Sequence, residues 1–223
     1  MIPPPSVTIG AHTPMPFFNR EPELHPRPIK ATDIDLLERV AQGQFSSVWK
    51  AVCKQAENGG VYAVKIFAGN QRSAWSNEKE IYNLLSTTNE HIIKYYGSDT
   101  FTANTQQKNS APVTPFNIFA TNEFWLITEY HPAGSLNDYL KANWLSWTQM
   151  IRLCYCLLEG LAYLHNENVD SRKSCAIAHR DLKSKNILVK SDGCSCCIGD
   201  FGLALKLNNA NKLSSAEIRS KVN

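Results

Sequence analysis

The sequence predicts an α+β fold, in which a small lobe built on a β-sheet is followed by a largely helical part. Short apolar runs separated by turns rich in Gly and Asn are concentrated before residue 130. Stretches with the helical spacing of apolar residues become longer after that point. The 223 residues, 43% hydrophobic and 19% charged, suffice for one large domain or two small ones.

The amino-terminal part predicts a linker followed by three strands. Residues 1–33 hold eight of the eleven prolines and are predicted to form a disordered segment, because proline fits neither sheet ladders nor helix interiors. Three short strands are predicted next, at 36–40, 47–52 and 61–67. Turns around Gly43 and at 58–60 separate them, so the three strands should form an antiparallel meander.

The remaining elements alternate between strands and helices. A helix is predicted at 72–85, strands at 92–96 and 124–129, and further helices near 135–142 and 148–165. Residues 99–123, between the two strands, are rich in Thr, Asn, Gln and Pro and are predicted to be a long surface insertion. A second polar loop at 166–175 is expected after the last helix.

The composition excludes several classes of protein. A net charge of +3 and a pI near 8.4, without a block of Lys or Arg, are too mild to indicate a nucleic-acid partner. No apolar run approaches the roughly 18–20 residues that span a bilayer. No secretory leader follows Met1, so the polypeptide as written is expected to be soluble.

The seven cysteines are an odd and scattered set, which is typical of reduced thiols in a cytosolic setting rather than of a disulfide framework. Cys194, Cys196 and Cys197 form one crowded cluster, which leaves a zinc site and a structural role open. The structural role is favoured because the cluster leads into Ile198, as a buried strand would.

The first candidate for chemistry is the turn around Gly43. A nucleotide phosphate requires closely approaching backbone N–H groups and therefore small residues in the turn. Ala41 and Ser46 stand where two further glycines would serve that purpose. A simple hairpin turn explains the same residues, and the stretch taken alone favours it.

The second candidate is a pair of opposite charges. Lys65 ends the apolar run of the third strand, where a cation beside a buried face requires a phosphate or carboxylate partner. Taken alone, it favours an edge lysine that extends to water. Glu78 shares the apolar stripe of the predicted helix with Ile81 and Leu85 and requires a cation, for which Lys65 is the obvious candidate. Glu80 faces elsewhere and is the weaker candidate.

The most specific pattern is His-Arg-Asp-Leu-Lys-Ser-Lys-Asn at residues 179–186, followed by Asp200-Phe201-Gly202. Asp181 and Asn186, five residues apart in a tight loop, would place an acceptor for a hydroxyl proton and a metal ligand within one site. Asp200, after a short hairpin, would complete the metal binding. Mg²⁺ prefers such oxygen ligands, with phosphate oxygens and water filling the remaining positions.

The order of these motifs resembles the protein kinase family over about residues 36–205. The resemblance implies a bilobal protein-kinase-like fold, with a complete β-rich N-lobe at 34–131 and an incomplete helical C-lobe at 132–206. It implies transfer of the γ-phosphate of ATP to a hydroxyl, with Mg²⁺ or Mn²⁺ as the metal.

The resemblance also implies roles for the catalytic residues. Asp181 would accept the proton of the substrate hydroxyl. Lys183 would steady the γ-phosphate. Asn186 and Asp200 would hold the metal.

Nucleotide contacts are implied in the same way. Lys65, paired with Glu78, would hold the α- and β-phosphates, and adenine would bond the backbone of residues 129–131 behind Thr128 as gatekeeper. The residues expected to bind the nucleotide are Val40, Ala41, Gly43, Val48, Ala63, Lys65, Thr128, Glu129, His131, Asn186 and Asp200.

Further stretches resemble the transforming growth factor beta receptor group, and within it the type II receptors for activin and bone morphogenetic proteins. They lie at 64–67, 73–78, 125–128, 134–143, 160–165, 179–186 and 200–206. Lys183 is typical of serine/threonine kinases. The resemblance implies a type I receptor as protein substrate and a place on the cytoplasmic side of the plasma membrane in a single-pass receptor. An extracellular activin-like or bone-morphogenetic-protein-like ligand would act only through an ectodomain that this sequence lacks.

The resemblance fades after Lys206, so residues 207–223 are predicted to be a divergent tail, and residues 1–33 are similar to a juxtamembrane segment. The apolar surface of the helix near 150–164 is wider than one stripe, which leaves about 9–18 kcal/mol of burial without cover. We expect a fragment of a longer reading frame or a poorly folded, inactive isoform. A truncated nucleotide- or partner-binding isoform and a related cytosolic kinase remain as alternatives.

Overall fold

A five-stranded antiparallel sheet forms the first part of the computed structural model, which describes residues 28–54, 60–85, 89–102, 122–167 and 175–207. Its strands are β1 (Ile34–Gln42), β2 (Ser46–Cys53), β3 (Val61–Phe67), β4 (Tyr95–Thr102) and β5 (Asn122–Glu129). They lie in the order β1-β2-β3-β5-β4, and the predicted antiparallel meander of the first three is confirmed. Residues 1–27, 58–59, 103–121, 168–174 and 208–223, on which other predictions fall, lie outside the described residues.

The side chains of β3 alternate between two faces of the sheet that have different surroundings. Tyr62, Val64 and Ile66 are buried on one face of the sheet and pack in a cluster with Trp125 of β5. Because successive side chains of a strand point to opposite faces, Lys65 lies on the other face. That face is turned toward the helical part of the chain.

The strand predicted at 92–96 is present but begins and ends later, and residues 99–102, predicted as part of an insertion, belong to it. Ile92 makes only an isolated bridge to Ile198, and β4 continues through residues 99–102 to pair with β5, which itself begins at Asn122. β4 is an edge strand of the sheet, and such a strand tolerates polar residues facing solvent. Because β4 is rich in Ser, Asp and Thr, its sequence does not show the apolar alternation by which a strand is predicted.

The last residues of the predicted disordered segment are ordered, which corrects the prediction for residues 28–33. Ile29 and Ala31 are buried, and the N–H of Ile29 donates to the carbonyl of Tyr96 at 3.3 Å. The N–H of Ala31 donates to Asp99 Oδ2 at 2.9 Å. A side chain at Gly97 would lie 2.8 Å from the carbonyl oxygen of Ile29, so the close approach of this segment to β4 requires glycine there.

Three helices follow the predicted positions: α1 (Arg72–Leu84), α2 (Leu136–Ala142) and α3 (Trp147–His165). Ser135 caps α2 by accepting a bond from the N–H of Asp138. Ser146 and Gln149 form a reciprocal capping box at the start of α3. These capping bonds satisfy N–H groups that a helix start leaves without partners, and they place both helix starts where the sequence predicts them.

The described residues after α3 also form four short strands: β6 (Ala176–Ala178), β7 (Ile187–Val189), β8 (Cys196–Ile198) and β9 (Leu205–Leu207). β7 pairs with β8 and β6 pairs with β9, both antiparallel. All three residues of β8 are buried, so the prediction that the cysteine cluster leads into a buried strand is confirmed. Burial raises the pKa of Cys196 to about 12, which keeps this thiol protonated at neutral pH. Within the described ranges no three His, Cys, Asp or Glu side chains converge as metal ligands.

The helix α3 is buried on one side only. Leu153, Cys156 and Leu164 pack against the strands beneath, where Gly160 allows the helix to approach Ile198 closely. Among the described residues nothing covers the opposite side, where Leu158 is 65% exposed. No helix in the described part of the chain has the length and apolar character needed to cross a bilayer.

Candidate active site

A cavity of about 630 Å³ lies between the five-stranded sheet and the helical part. All eleven residues predicted to bind a nucleotide line it, and so do Glu78 and Lys183. Asp181 is not among the lining residues, but it bonds Lys183 and Asn186, which are. The structure therefore brings residues from β1, β2, β3, β5 and the segment after α3 together around one space.

The turn between β1 and β2 forms one wall of this cavity. The N–H of Gly43 donates to the carbonyl of Ser46 at 2.8 Å, which closes a tight hairpin. Ala41 pairs with Val48 across the hairpin, and both line the cavity. The two interpretations of this stretch, hairpin turn and wall of a nucleotide site, are therefore compatible in this structure.

Lys65 is held between two carboxylates. Its Nζ lies 3.0 and 2.8 Å from the two carboxylate oxygens of Glu78, and 2.8 Å from Asp200 Oδ1. The strand β3 lies between β2 and β5, and the Lys65 side chain is 20% exposed. The interpretation of Lys65 as an edge lysine that extends to water is therefore wrong, and its predicted pairing with Glu78 is present.

The charges of this cluster stabilise one another. Burial lowers the pKa of Lys65, but the carboxylates of Glu78 and Asp200 outweigh burial and raise that pKa above its ordinary value. Burial also raises the pKa of Glu78, and Lys65 opposes that rise. For Asp200, Lys65 outweighs burial and lowers the pKa. Lys65 therefore remains a cation at neutral pH, as a group that binds phosphate oxygens must.

Asp181 is held by two side chains of its own loop. Lys183 Nζ lies 2.6 Å from Asp181 Oδ2, and Asn186 Nδ2 donates to the same oxygen at 3.0 Å and to the Asp181 carbonyl at 2.9 Å. A short 3₁₀ turn at Ser184–Asn186 brings the amide back toward Asp181. The carboxylate is consequently fixed in orientation while its side chain remains 30% exposed, as a proton acceptor requires.

The loop that carries Asp181 is tied to the one that carries Asp200. His179 Nε2 lies 2.9 Å from the carbonyl oxygen of Gly199, and the N–H of Gly199 donates to the carbonyl of Asn186 at 2.9 Å. Arg180 and Asp200 both have a left-handed backbone, with φ of 67° and 59°. Such a conformation is costly for a residue other than glycine and persists where the surroundings enforce it. Phe201, 1% exposed, packs on His179 beneath these loops.

Comparison with known proteins agrees with this geometry. A family model described as the protein kinase domain matches residues 34–221. The chain belongs to the protein kinase family. The match begins where the domain is predicted to begin, while its end lies within the predicted tail, so the boundary at residue 206 stays a prediction.

Curated proteins similar to this kinase domain include activin receptors of two types. It is 38% identical over 200 residues to activin receptor type-1 of Mus musculus and of Homo sapiens, which covers 90% of this chain and 34% of those proteins. It is 40% identical over 175 residues to activin receptor type-2A of Homo sapiens, which covers 78% of this chain and 30% of that protein. The chain thus spans about a third of the length of the curated relatives it matches.

Kinase domains use ATP with a divalent metal ion, and the residues of this site fit such an ion. Asn186 uses its amide nitrogen for both bonds to Asp181, which leaves its amide oxygen as a ligand. The Asp200 side chain is 46% exposed and lines the same cavity. One carboxylate and one amide oxygen form the kind of incomplete oxygen set that Mg²⁺ shares with phosphates and water.

The segment of residues 129–131, called the hinge below, connects the two parts of the kinase. The N–H of Glu129 donates to the carbonyl of Lys94, and Thr128 Oγ1 lies 3.5 Å from the carbonyl oxygen of Ala63. The His131 ring is buried, and its Nε2 lies 3.3 Å from Cys197 Sγ. Burial lowers the pKa of His131, so this ring is a neutral hydrogen-bonding link from the hinge to β8.

Several cavity residues were missed by sequence reasoning. Leu126 pairs with Lys65 across the sheet, and with Leu188 and Ile93 it supplies an apolar lining. These residues are ordinary core residues in the sequence, and only the strand pairing indicates that they face the cavity. Residues of α2 and its N-cap also line it, and the sequence pattern did not indicate them: Ser135, Asn137, Asp138 and Lys141.

Proposed function

We propose that this chain is the ATP-binding and catalytic part of a protein serine/threonine kinase. The observation that carries the proposal is the convergence of two charge clusters on one cavity. Lys65 holds Glu78 and Asp200 together, while Asp181 is held by Lys183 and Asn186. The membership of the protein kinase family supports the same reaction class.

The proposed chemistry divides the work among these side chains. Bound Mg²⁺ or Mn²⁺ would neutralise the phosphate charge that develops during transfer. Asn186 and Asp200 would hold that metal, and Lys65 would bind α- and β-phosphate oxygens while Glu78 keeps it in place. Asp181 would accept the proton of the attacking hydroxyl, and Lys183 would bind the γ-phosphate.

The nucleotide base is proposed to lie deeper in the cavity. Ala63 and the apolar lining would contact the adenine ring, and the hinge backbone would bond its polar edge. Val40 and Val48 would cover the ring from the side of the β1–β2 hairpin. A cavity of about 630 Å³ is within the range of sites for ligands of this size.

The test is phosphate incorporation by the purified 223-residue chain from γ-labelled ATP with Mg²⁺. The wild-type chain should label a Gly/Ser-rich acceptor protein, and acid hydrolysis should yield phosphoserine and phosphothreonine. Asp181→Asn should retain ATP binding and lose transfer, whereas Lys65→Ala should weaken both. Equal labelling by the wild-type chain and by Lys65→Ala would disprove kinase activity of this polypeptide.

A finer proposal is that the kinase acts as a type II receptor of the activin and bone morphogenetic protein pathway. A type I receptor would be its substrate, and it would work on the cytoplasmic side of the plasma membrane. The relatives, named activin receptor type-1 and type-2A, support the receptor group, while their identities of 38% and 40% are too alike to assign the type. Labelling of type I but not type II receptor kinase segments would support the type II role.

The second candidate function is nucleotide or partner binding without phosphate transfer. The exposed face of α3 favours it, since Trp147, Tyr155 and Leu158 remain 74%, 59% and 65% exposed within the described ranges. ATP binding by calorimetry without any labelling of protein acceptors would support this candidate over the first.

A further inference from the structure

Two acidic residues of α1 face different partners. Glu78 and Glu80 are two positions apart, which corresponds to about 200° around an α-helix. Glu78 is buried and bonds Lys65, whereas Glu80 is exposed and pairs with Lys206 of β9. Glu80, the weaker candidate for the pairing with Lys65, therefore has a separate cation of its own.

Lys206, the partner of Glu80, lies in a strand that is paired with the strand before the Asp181 loop. Within the antiparallel β6·β9 ladder, Lys206 lies opposite Ile177. The strand β6 ends at Ala178 and leads directly into His179 and the loop that carries Asp181. The backbone of Lys206 is thus joined to the catalytic loop, while its side chain joins α1.

Apolar contacts beside the Glu80–Lys206 pair also join α1 to the segment that precedes β9. Tyr82 of α1 packs edge to face on Phe201, with ring centroids 5.3 Å apart, and Ala204 is buried in the same core as both rings. The segment between the Asp-Phe-Gly motif and Lys206 therefore packs against α1 through Phe201 and Ala204. The charged pair with Glu80 is the outer, solvent-facing end of this contact, because the two side chains are 60% and 33% exposed.

We propose that Glu80 and Lys206 are positioning residues that hold α1 in register with the β6·β9 ladder, so that Glu78 and Asp200 meet at Lys65. This inference rests on the proposed function, because it concerns the placement of the phosphate-binding lysine. Neither residue lines the cavity, so neither touches the nucleotide. When the pair is broken, α1 turns or shifts outward more often, and Lys65 is presented to phosphate for a smaller fraction of the time.

The experiment measures the affinity of the full 223-residue chain for ATP with Mg²⁺ by calorimetry. The variants are Glu80→Gln, Lys206→Gln, their combination, and the charge exchange Glu80→Lys with Lys206→Glu. Each single variant should weaken ATP binding about two- to fivefold, the size of effect expected for an exposed ion pair. The combination should weaken it no further, and the charge exchange should restore most of the affinity.

Two further readouts separate this role from general loss of structure. The ratio of wild-type to variant affinity should approach one in 1 M salt, because exposed ion pairs are screened. Amide hydrogen exchange in α1 should accelerate in the single variants, while exchange in β2 and β3 stays unchanged.

The outcomes distinguish this inference from the proposed function. Absence of ATP binding by the wild-type chain would overturn the proposed function and this inference with it. If the wild-type chain binds ATP, single variants with wild-type affinity would overturn the inference alone. So would additive losses in the combined variant, or a charge exchange that restores nothing.

Discussion

Replacing Lys65 with methionine should make the stability of this protein strongly dependent on pH. Methionine keeps most of the length of the side chain and removes the cation that bonds Glu78 at 2.8 and 3.0 Å. Glu78 is 1% exposed, so its carboxylate would be left as an unpaired buried charge. Removing one partner of a buried pair costs about 3–5 kcal/mol, a large part of a total folding stability of about 5–15 kcal/mol.

The sign of the pH dependence follows from the pKa of Glu78. Burial raises this pKa in the folded protein, and Lys65 opposes the rise, so Lys65→Met should raise it further. The folded state then holds a proton that the unfolded state releases, so stability falls as pH rises above the ordinary carboxyl pKa toward the raised one. The loss relative to wild type should therefore be about 3–5 kcal/mol at pH 8 and distinctly smaller at pH 5.

The assay is urea unfolding of the wild-type and Lys65→Met chains at both pH values. Glu78→Gln in the Lys65→Met background is the matched control, because glutamine keeps an oxygen that accepts from the Phe201 N–H and carries no charge. This double variant should be more stable at pH 8 than Lys65→Met alone, and its stability should change less with pH. Equal losses at pH 5 and pH 8, or a loss below about 1 kcal/mol at both, would refute the reasoning.

Four other substitutions test separate parts of the structure. Asp181→Asn should lower phosphate transfer by about 10²–10⁴-fold in a labelling assay while the ATP affinity changes little; a residual rate near wild type would contradict the proposed base. Gly160→Ala should lower the melting temperature although alanine favours helices, because its Cβ would lie 2.9 Å from the carbonyl oxygen of His91; a rise would show that α3 can move away. Leu153→Ala should cost about 2–5 kcal/mol in urea unfolding, whereas Leu158→Ala, 65% exposed, should cost under about 0.5 kcal/mol.

Much of the candidate site could be predicted from the sequence alone. Short motifs such as residues 179–186 and 200–202 carry their chemistry in the identity and spacing of a few side chains. The apolar stripe of α1 also placed Glu78 on an inward face, where its carboxylate requires a cation. Local periodicity determines which face of a helix is buried, so it predicted the environment of Glu78, whereas Lys65 taken alone favoured an edge position.

Elements whose residues do not show a pattern were predicted less well. The edge strand β4 and the ordered segment at 28–33 have the composition of loops, and their structure depends on partners distant in the sequence. The N–H of Ala31 bonds Asp99, a residue 68 positions away. No local window of the sequence contains such a contact.

The sequence by itself determined which side chains carry charge, where the small residues of the first turn lie, and which loops hold the acids. The pairing of Glu78 with Lys65 was predicted from the sequence, but only the tertiary structure decided the other partners. It assigned Glu80 to Lys206, and it joined Asp200 to Lys65 across 135 positions of chain. The physical reason is that helical and strand periodicity specify the direction of a side chain, whereas what lies opposite is set by the packing of elements that are remote in sequence.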